Sequence, residues 1–221
     1  MNKYYIFDFD STFVKCEALD ELAGIALRER VDRAKVVDEI KRITNLGMEG
    51  RITFSESLDS RFKLLAASKK HIGELVERLK QSITDSIAAQ QNFFLENSER
   101  IYIITGGFRD YVLPVVSAFG ILPQHVLANE FIYENDNIVG YDKDNFLSRS
   151  GGKAEVVRNL KLPGEVIVIG DGYSDYEIKA AGVADHFYAF TENVRRESVV
   201  NKADRVLASL DEMLFDNTII T

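Results

Sequence analysis

The chain contains a single cysteine, Cys16, among 221 residues, so no disulfide can form within it, and a reducing compartment is the expected setting. Positive charge is in deficit: 27 Lys and Arg stand against 35 Asp and Glu, for a formal net charge of −8. Nucleic acid and anionic membrane surfaces need a basic face, so neither is expected as a partner. No apolar run approaches the ~18 residues that a membrane-spanning helix requires. Met1-Asn2-Lys3 leads straight into an apolar segment with no signal-peptide pattern, and a cytoplasmic location is expected. Internal repeats, low-complexity segments and Pro- or Gly-rich linkers are also missing. With 46% hydrophobic and 28% charged residues, the composition is that of a soluble globular protein, long enough for one large domain or a domain with a sizeable insertion. An acidic net charge does not exclude a small anionic substrate, because one metal ion and a few cations can dominate a pocket.

What is present is a set of charged or glycine-rich turns, each at the end of an apolar run. Tyr4-Tyr5-Ile6-Phe7 has β-strand character and ends in Asp8-Phe9-Asp10-Ser11-Thr12. In an extended segment residues i and i+2 point the same way, so the Asp8 and Asp10 carboxylates can face one pocket. One can attack phosphorus to give an acyl-phosphate, while the other protonates the leaving alkoxide and later deprotonates water. Val166-Ile167-Val168-Ile169 ends in Gly170-Asp171-Gly172, with Ser174 and Asp175 just beyond. Mg²⁺ prefers oxygen ligands, and Asp8, Asp171 and the Asp10 backbone carbonyl can supply them. Such an ion offsets the repulsion between an anionic nucleophile and a phosphate. Ile101-Tyr102-Ile103-Ile104 ends in Thr105-Gly106-Gly107, a hydroxyl and backbone N–H groups able to hold phosphate oxygens. Lys153, at the start of a helix expected over 152–160, can give the phosphoryl group a point charge. Singly, each piece also reads as a turn, a helix cap or a surface lysine; the ordered set is what carries specificity.

Residues 17–83 read as helical throughout. Leu19, Leu22, Ala23 and Ala26 share a face, and Thr53 with Glu56 fits a capping box ahead of Phe54, Leu58, Phe62 and Leu65. Ser68 can cap a further helix whose buried stripe is Ile72, Leu75, Val76 and Leu79. Beyond this block helices and strands alternate: a helix over 84–97, a strand over 101–105, and a helix from Arg109 that Pro114 kinks unless it lies near the first turns. A strand at 126–129, a hairpin around Glu134-Asn135-Asp136-Asn137, the 152–160 helix and a strand at 166–170 follow. A short helix ending near Gly182, a strand over 186–190 and a last helix from Ser209 complete the pattern. Alternation of this kind predicts an α/β fold with a Rossmann-like parallel sheet and helices on both faces. Residues 1–14 and 84–221 are expected to form the α/β core. Residues 15–83 are expected to form an inserted helical cap over the carboxyl ends of the strands, where ligands bind in open α/β sheets.

The four pieces in this order resemble the haloacid dehalogenase superfamily, and the match extends to its phosphoserine phosphatase family. It is carried by the run from Asp8 through Glu17 to Ala23, by Met48-Glu49-Gly50, by Phe54 to Arg61, by Thr105 to Arg109, and by Gly170-Asp171-Gly172 with Asp175. It covers nearly the whole chain except about residues 84–100, and the tail from Phe190 to Asp204 is similar to the eukaryotic branch. The resemblance implies that Asp8 is the nucleophile and Asp10 the general acid and base. Thr105 and Gly106 would bind phosphate, Lys153 would hold the aspartyl-phosphate, and Asp8, Asp10 and Asp171 would bind Mg²⁺ with Thr12 and Asp175 in support. Glu17 would meet a substrate ammonium and Arg61 a substrate carboxylate, with Met48 and Phe54 closing the pocket and Ser174 touching the substrate. Thr105 stands where the family usually has Ser, which keeps the hydroxyl and adds a methyl group; Ser174 stands where Asn or Thr is common.

The charges agree independently, because phosphoserine carries a phosphate, a carboxylate and an ammonium, and an Arg suits a carboxylate bidentately. The implied activity is Mg²⁺-dependent hydrolysis of phosphoserine through an aspartyl-phosphate, as in serine biosynthesis. Two alternatives stand beside it. One is the same chemistry on another small phosphomonoester, or with an acceptor alcohol in place of water. The other is a phosphometabolite-binding protein without turnover, against which the joint presence of Asp8, Asp10, Lys153 and Asp171 speaks. His71, His125 and His186 have no motif around them and read as structural or surface residues, and Cys16 reads as a small apolar side chain.

Overall fold

The computed structural model describes residues 2–215; Met1 and residues 216–221, assigned to the core from sequence, lie outside the described residues. The chain begins with β1 (Lys3–Phe7), then four helices: α1 (Ala18–Ala26), α2 (Arg33–Met48), α3 (Phe54–Phe62) and α4 (Lys69–Lys80). Two short helices, α5 (Asp85–Ala89) and α6 (Gln91–Glu96), lead to β2 (Ile101–Phe108), α7 (Arg109–Val116) and β3 (Val126–Asn129). A hairpin of β4 (Phe131–Glu134) and β5 (Asn137–Tyr141) precedes α8 (Gly152–Leu160), β6 (Glu165–Gly170) and α9 (Tyr173–Ala180). The chain continues through β7 (His186–Phe190), α10 (Glu197–Val200), β8 (Arg205–Leu207) and α11 (Asp211–Phe215). No described helix is long and apolar enough to cross a membrane.

Six strands form one parallel sheet in the order β3-β2-β1-β6-β7-β8. The short apolar β1 lies inside it, with Tyr5 paired to both Ile101 and Ile167. Side chains alternate across the sheet. Tyr5, Phe7, Ile103, Ile167 and Ile169 enter one apolar layer with Phe94, Val112 and Val116. Ile6, Ile104, Val166 and Val168 enter the other with Val157, Ile178 and Val199. Helices therefore cover both faces, as a parallel sheet requires. In the first layer Phe13 meets Phe94 and Phe119 edge-on, with ring centroids 5.5 and 5.0 Å apart. Each such buried ring contributes roughly 1.5–3 kcal/mol.

Helices α1 to α4 form a packed layer, with α1 against α2 and α4, α2 against α3, and α4 also against α7 beside the sheet. The Leu19, Leu22 and Ala23 face of α1 and the Ile72, Leu75, Val76 and Leu79 stripe of α4 are buried. Thr53 and Glu56 form the reciprocal capping box that starts α3. Ser68 precedes α4 and donates its N–H to His71 Nδ1 at 3.1 Å. Two chain segments connect this layer to the sheet side by side. Val14 faces Ile83 in an antiparallel bridge, Lys15 N–H donates to the Ser82 carbonyl at 2.8 Å, and Thr84 N–H donates to the Phe13 carbonyl at 3.0 Å.

Several boundaries differ from the sequence pattern. The helix expected over 84–97 is two helices broken at Gln90, whose side-chain amide is drawn to Asp211. The expected strand 101–105 continues to Phe108, because pairing with β3 resumes there, opposite Asn129, after an irregularity that leaves Thr105-Gly106-Gly107 without partners in β3. Pro114 lies inside α7, which lasts eight residues before a tighter turn ended by Gly120. The last described helix starts at Asp211 rather than Ser209; the Glu212 carboxylate reaches back to the Ala208 N–H. Helix α10 and strand β8 have no counterpart in the pattern, being four and three residues long and too short for a periodicity to show. The hairpin turns on Asn135 and Asp136, both at positive φ, as a tight two-residue turn demands.

Candidate active site

The sheet order reverses between β1 and β6, and the carboxyl ends of these neighbours are where an open α/β sheet presents a crevice. Asp8 follows β1 and Asp171 follows β6, so topology alone brings them together. The Asp8 N–H extends the ladder to the Ile169 carbonyl at 2.9 Å. A tight turn then reverses the chain: Val14 N–H closes on the Phe9 carbonyl at 3.0 Å, and Ser11 adopts φ 54. Asp8 Oδ1 accepts from the Phe9 N–H at 2.7 Å. Asp10 instead turns to the helical layer, its Oδ1 accepting from the Ala18 N–H at 2.7 Å at the start of α1, where a carboxylate is favoured by the unpaired helix N–H groups.

Lys153, in the first turn of α8, is buried between two carboxylates, 2.8 Å from Asp8 Oδ1 and 2.7 Å from Asp175 Oδ1. The other Asp175 oxygen accepts from the Gly172 N–H at 3.1 Å. Thr12 donates its hydroxyl to Asp171 Oδ1 at 3.1 Å, and Arg196 pairs with Asp171 Oδ2. Thr105 Oγ1 accepts from the Gly107 N–H at 2.9 Å. Ser11 donates its hydroxyl to Glu17 Oε1 at 2.7 Å. Arg61 Nη1 donates to the Thr44 hydroxyl at 3.3 Å, and that hydroxyl donates to Asp20 Oδ1 at 2.7 Å.

One cavity of ≈ 30 Å³ gathers Asp8, Asp10, Glu17, Met48, Phe54, Arg61, Thr105, Gly106, Lys153 and Ser174. Of the residues singled out in the sequence, Thr12, Asp171 and Asp175 stand behind this wall, Thr12 tied to Asp171 and Asp175 to Lys153. The space holds about one water molecule, because the Phe54 ring closes down over Gly106. The three histidines lie away from the cavity; His125, for instance, stacks on Tyr102 at 4.1 Å and reaches the Ile101 carbonyl. Burial and the nearby acids, Asp10 foremost, push the Cys16 thiol up to about 12, so it stays protonated and inert.

Sequence reasoning missed four residues here. Arg196 bonds Asp171 and lies 3.8 Å from Glu17. Nothing in the sequence separates it from Arg195, which pairs with the exposed Glu197. The Asn129 amide fixes the Gly106 and Leu147 carbonyls at 2.9 and 3.1 Å. Asp20 and Tyr111 fall on helix positions that read as ordinary helix surface and core. The alternation of apolar residues carries no signal for any of these.

The electrostatics follow from burying acids together. Burial, then the charges of Glu17 and Asp8, raise the Asp10 pKa well above the usual carboxylate range. Burial raises Asp171 as well, against the opposing charge of Arg196. Asp175 is pushed up to about 7 by burial and the Asp8 charge, with Lys153 opposing. Burial works to lower the Lys153 pKa, but Asp175 and Asp8 outweigh it and raise the value. Three buried acids, Asp8, Asp171 and Asp175, bring carboxylate oxygens within 4.8 Å of one another. An all-oxygen set under mutual repulsion fits a hard divalent cation, which would relieve the strain that burial imposes on the acids.

Comparison with known proteins accords with this geometry. The model of the haloacid dehalogenase-like hydrolases matches residues 5–178. Human phosphoserine phosphatase is 32% identical over 212 residues, covering 94% of this chain and 90% of its own. The crystal structure of a phosphoserine phosphohydrolase-like protein from Francisella tularensis superposes with a TM-score of 0.87 at 30% identity, over 100% of both chains. A phosphoserine phosphatase solved with an analogue of its phospho-aspartyl intermediate superposes with a TM-score of 0.78 at 25% identity, over 98% of this chain and 99% of its own. The strand-end carboxylates, the sheet order and these relatives agree: the chain belongs to the phosphoserine phosphatase family of the haloacid dehalogenase-like hydrolases.

Proposed function

We propose that the protein is a Mg²⁺-dependent phosphatase of the cytoplasm that hydrolyses O-phospho-L-serine to serine and phosphate, a reaction of serine biosynthesis. The observation that carries this reading is the placement of Glu17 and Arg61 in the same cavity as Asp8 and Asp10. An acid and a guanidinium from the helical layer face a phosphoryl site on the sheet, which matches the ammonium, carboxylate and phosphate of one small molecule. In this reading residues 15–83 are a cap that closes on a core of residues 1–14 and 84–221, with Met48 and Phe54 as its contact with the sheet. The single cysteine supports the cytoplasmic setting.

Asp8 Oδ1 is held by Phe9 and Lys153, so attack falls to Oδ2. The Oδ2–P bond forms as the seryl O–P bond breaks, and Asp10 delivers its proton to the departing seryl oxygen. A raised pKa, first from burial, keeps that proton available. Asp10, now a carboxylate, takes a proton from water, whose oxygen attacks phosphorus and returns Asp8. Thr105, Gly106 and Lys153 hold the phosphoryl oxygens through both steps. Asp8, Asp171 and the Asp10 backbone are the proposed holders of Mg²⁺, with Asp175 close by; the ion, when bound, neutralises charge shared by the phosphoryl group and the carboxylates. Glu17 and Arg61 orient the amino-acid end, and Ser174 lines the same wall.

The test is phosphate release with Mg²⁺ from L-phosphoserine and from a panel of small phosphoesters, with Asp8→Asn as the control. Preference for phosphoserine, abolished by the substitution, is the expected result. Turnover of another ester with phosphoserine ignored would overturn the roles given to Glu17 and Arg61. Full activity of Asp8→Asn would overturn the chemistry.

A further inference from the structure

Tyr111 lines the active-site cavity and has no part in the reaction as described. It stands on α7, just after the Thr105-Gly106-Gly107 segment, and is fully buried. Phe9, Phe108 and Phe131 surround its ring and fix the direction of the side chain. The hydroxyl at its tip makes no hydrogen bond. A buried hydroxyl without a partner is costly, and native interiors rarely keep one without a reason.

The tip is aimed at the reacting groups. The point where a Cβ of Gly107 would stand is 3.0 Å from Tyr111 Oη, 3.2 Å from Asp10 Oδ2 and 3.3 Å from Thr105 Oγ1. Three oxygens from three segments thus face one another across a bare glycine. Burial, then the Asp10 charge, raise the Tyr111 pKa well above that of a free phenol; the Phe108 N–H and the Arg61 charge oppose them. The hydroxyl keeps its proton, and that proton is given to no hydrogen bond. Arg61 Nε is a second buried donor without a partner. Asp10 Oδ1 accepts from the Ala18 N–H and Glu17 Oε1 from the Ser11 hydroxyl, and neither carboxylate is hydrogen-bonded to Tyr111 or to Arg61 Nε. Two orphaned donors from residues that line one cavity suit one acceptor group with two oxygens.

We propose that Tyr111 is a substrate-binding residue of this protein, its hydroxyl donating a hydrogen bond to the carboxylate of the leaving group beside Arg61 Nε. The proposal rests on the phosphoserine reading above. The phosphoryl oxygens are served by Thr105, Gly106 and Lys153, and an ammonium has no acceptor to offer Tyr111. A substrate without the carboxylate leaves both donors buried and unpaired, a strong basis for rejecting it. Tyr111 is thereby a determinant of specificity for phosphorylated amino acids over phosphorylated amines.

Tyr111→Phe removes the hydroxyl and keeps the ring. The measurement is kcat and KM for L-phosphoserine and for O-phosphoethanolamine, which lacks only the carboxylate, in wild type and variant. The expected result is a fall of about tenfold in the ratio of kcat/KM between the two esters, carried by KM for phosphoserine. Titration of L-phosphoserine into Asp8→Asn and Asp8→Asn/Tyr111→Phe should show the same weakening in Kd without turnover. The melting temperature of Tyr111→Phe should equal or exceed that of wild type, because no hydrogen bond is lost. Equal losses on both esters, a loss in kcat alone, or no change would each overturn the proposal while leaving the phosphoserine reading in place. A wild type that does not prefer phosphoserine over phosphoethanolamine would overturn that reading, and the carboxylate contact with it.

Discussion

Phe54 lies across Gly106 so closely that a Cβ on the glycine would stand 2.7 Å from the ring's Cε2. The cap reading makes this contact the seal of the phosphate site: the ring comes from the helical layer, the glycine from the sheet. Gly106→Ala should force the ring away and lower kcat/KM for phosphoserine by roughly 100-fold, since displacements near 1 Å at a reacting centre have effects of that order. Phe54→Ala alone should be milder, and the double variant should be better than the sum of the two losses predicts. Steady-state kinetics on the four proteins gives the answer. Strictly additive losses would mean that ring and glycine do not act on each other.

Lys153 is the buried cation shared by Asp8 and Asp175. Removing one partner of a buried ion pair is far worse than removing both, so Lys153→Met should lower stability by about 3–5 kcal/mol. Activity should fall by at least about 100-fold. A divalent cation neutralises the same carboxylates, so saturating Mg²⁺ should stabilise the variant more than the wild type. Urea unfolding with Mg²⁺ and with chelator measures both effects. Equal stabilisation of the two proteins would separate the ion's site from these carboxylates.

Asp20 titrates far from its ordinary value of 3.8, pushed up to about 6 by burial and by the Glu17 charge. Between these values the folded protein binds more protons than the unfolded chain, so stability falls as pH rises. The contribution is complete below the ordinary value and lost as pH passes through about 6. Asp20→Asn keeps an acceptor for Thr44 and loses the titration. The stability of wild type relative to this variant should therefore drop by about 2 kcal/mol between pH 4 and pH 7. A difference that stays flat over that interval would place the Asp20 pKa at its ordinary value.

What the sequence makes legible is whatever repeats or punctuates. Val166 to Ile169 is an unbroken apolar run, and only a strand buried on both faces suits it. Thr53 and Glu56 mark the start of α3 because a capping box needs those side chains at that spacing. Strand-end turns such as Gly170-Asp171-Gly172 stand out for the same reason. Gln90 is different: it stands where one helix ends and the next begins, and its side chain meets Asp211, a partner 121 residues away. Arg196 differs from Arg195 only in which way the chain turns before α10. Tyr111 looks like one more buried aromatic on a helix, and only its fully enclosed hydroxyl sets it apart. Partners chosen by the tertiary fold leave no local trace.

The paired crossing of Val14 and Ile83 governs how the helical layer can move. Two hydrogen-bonded segments bend together more readily than they twist or slide, so in the cap reading the layer mounted on them would swing about one axis. Ala18 lies beyond the crossing and Asp10 before it, yet the Ala18 N–H is what aims the Asp10 carboxyl. In the cap reading, a swing outward would draw that N–H from its carboxylate. On the proposed mechanism, the movement that admits the substrate would also release the Asp10 carboxyl, and proton delivery would belong to the shut molecule alone.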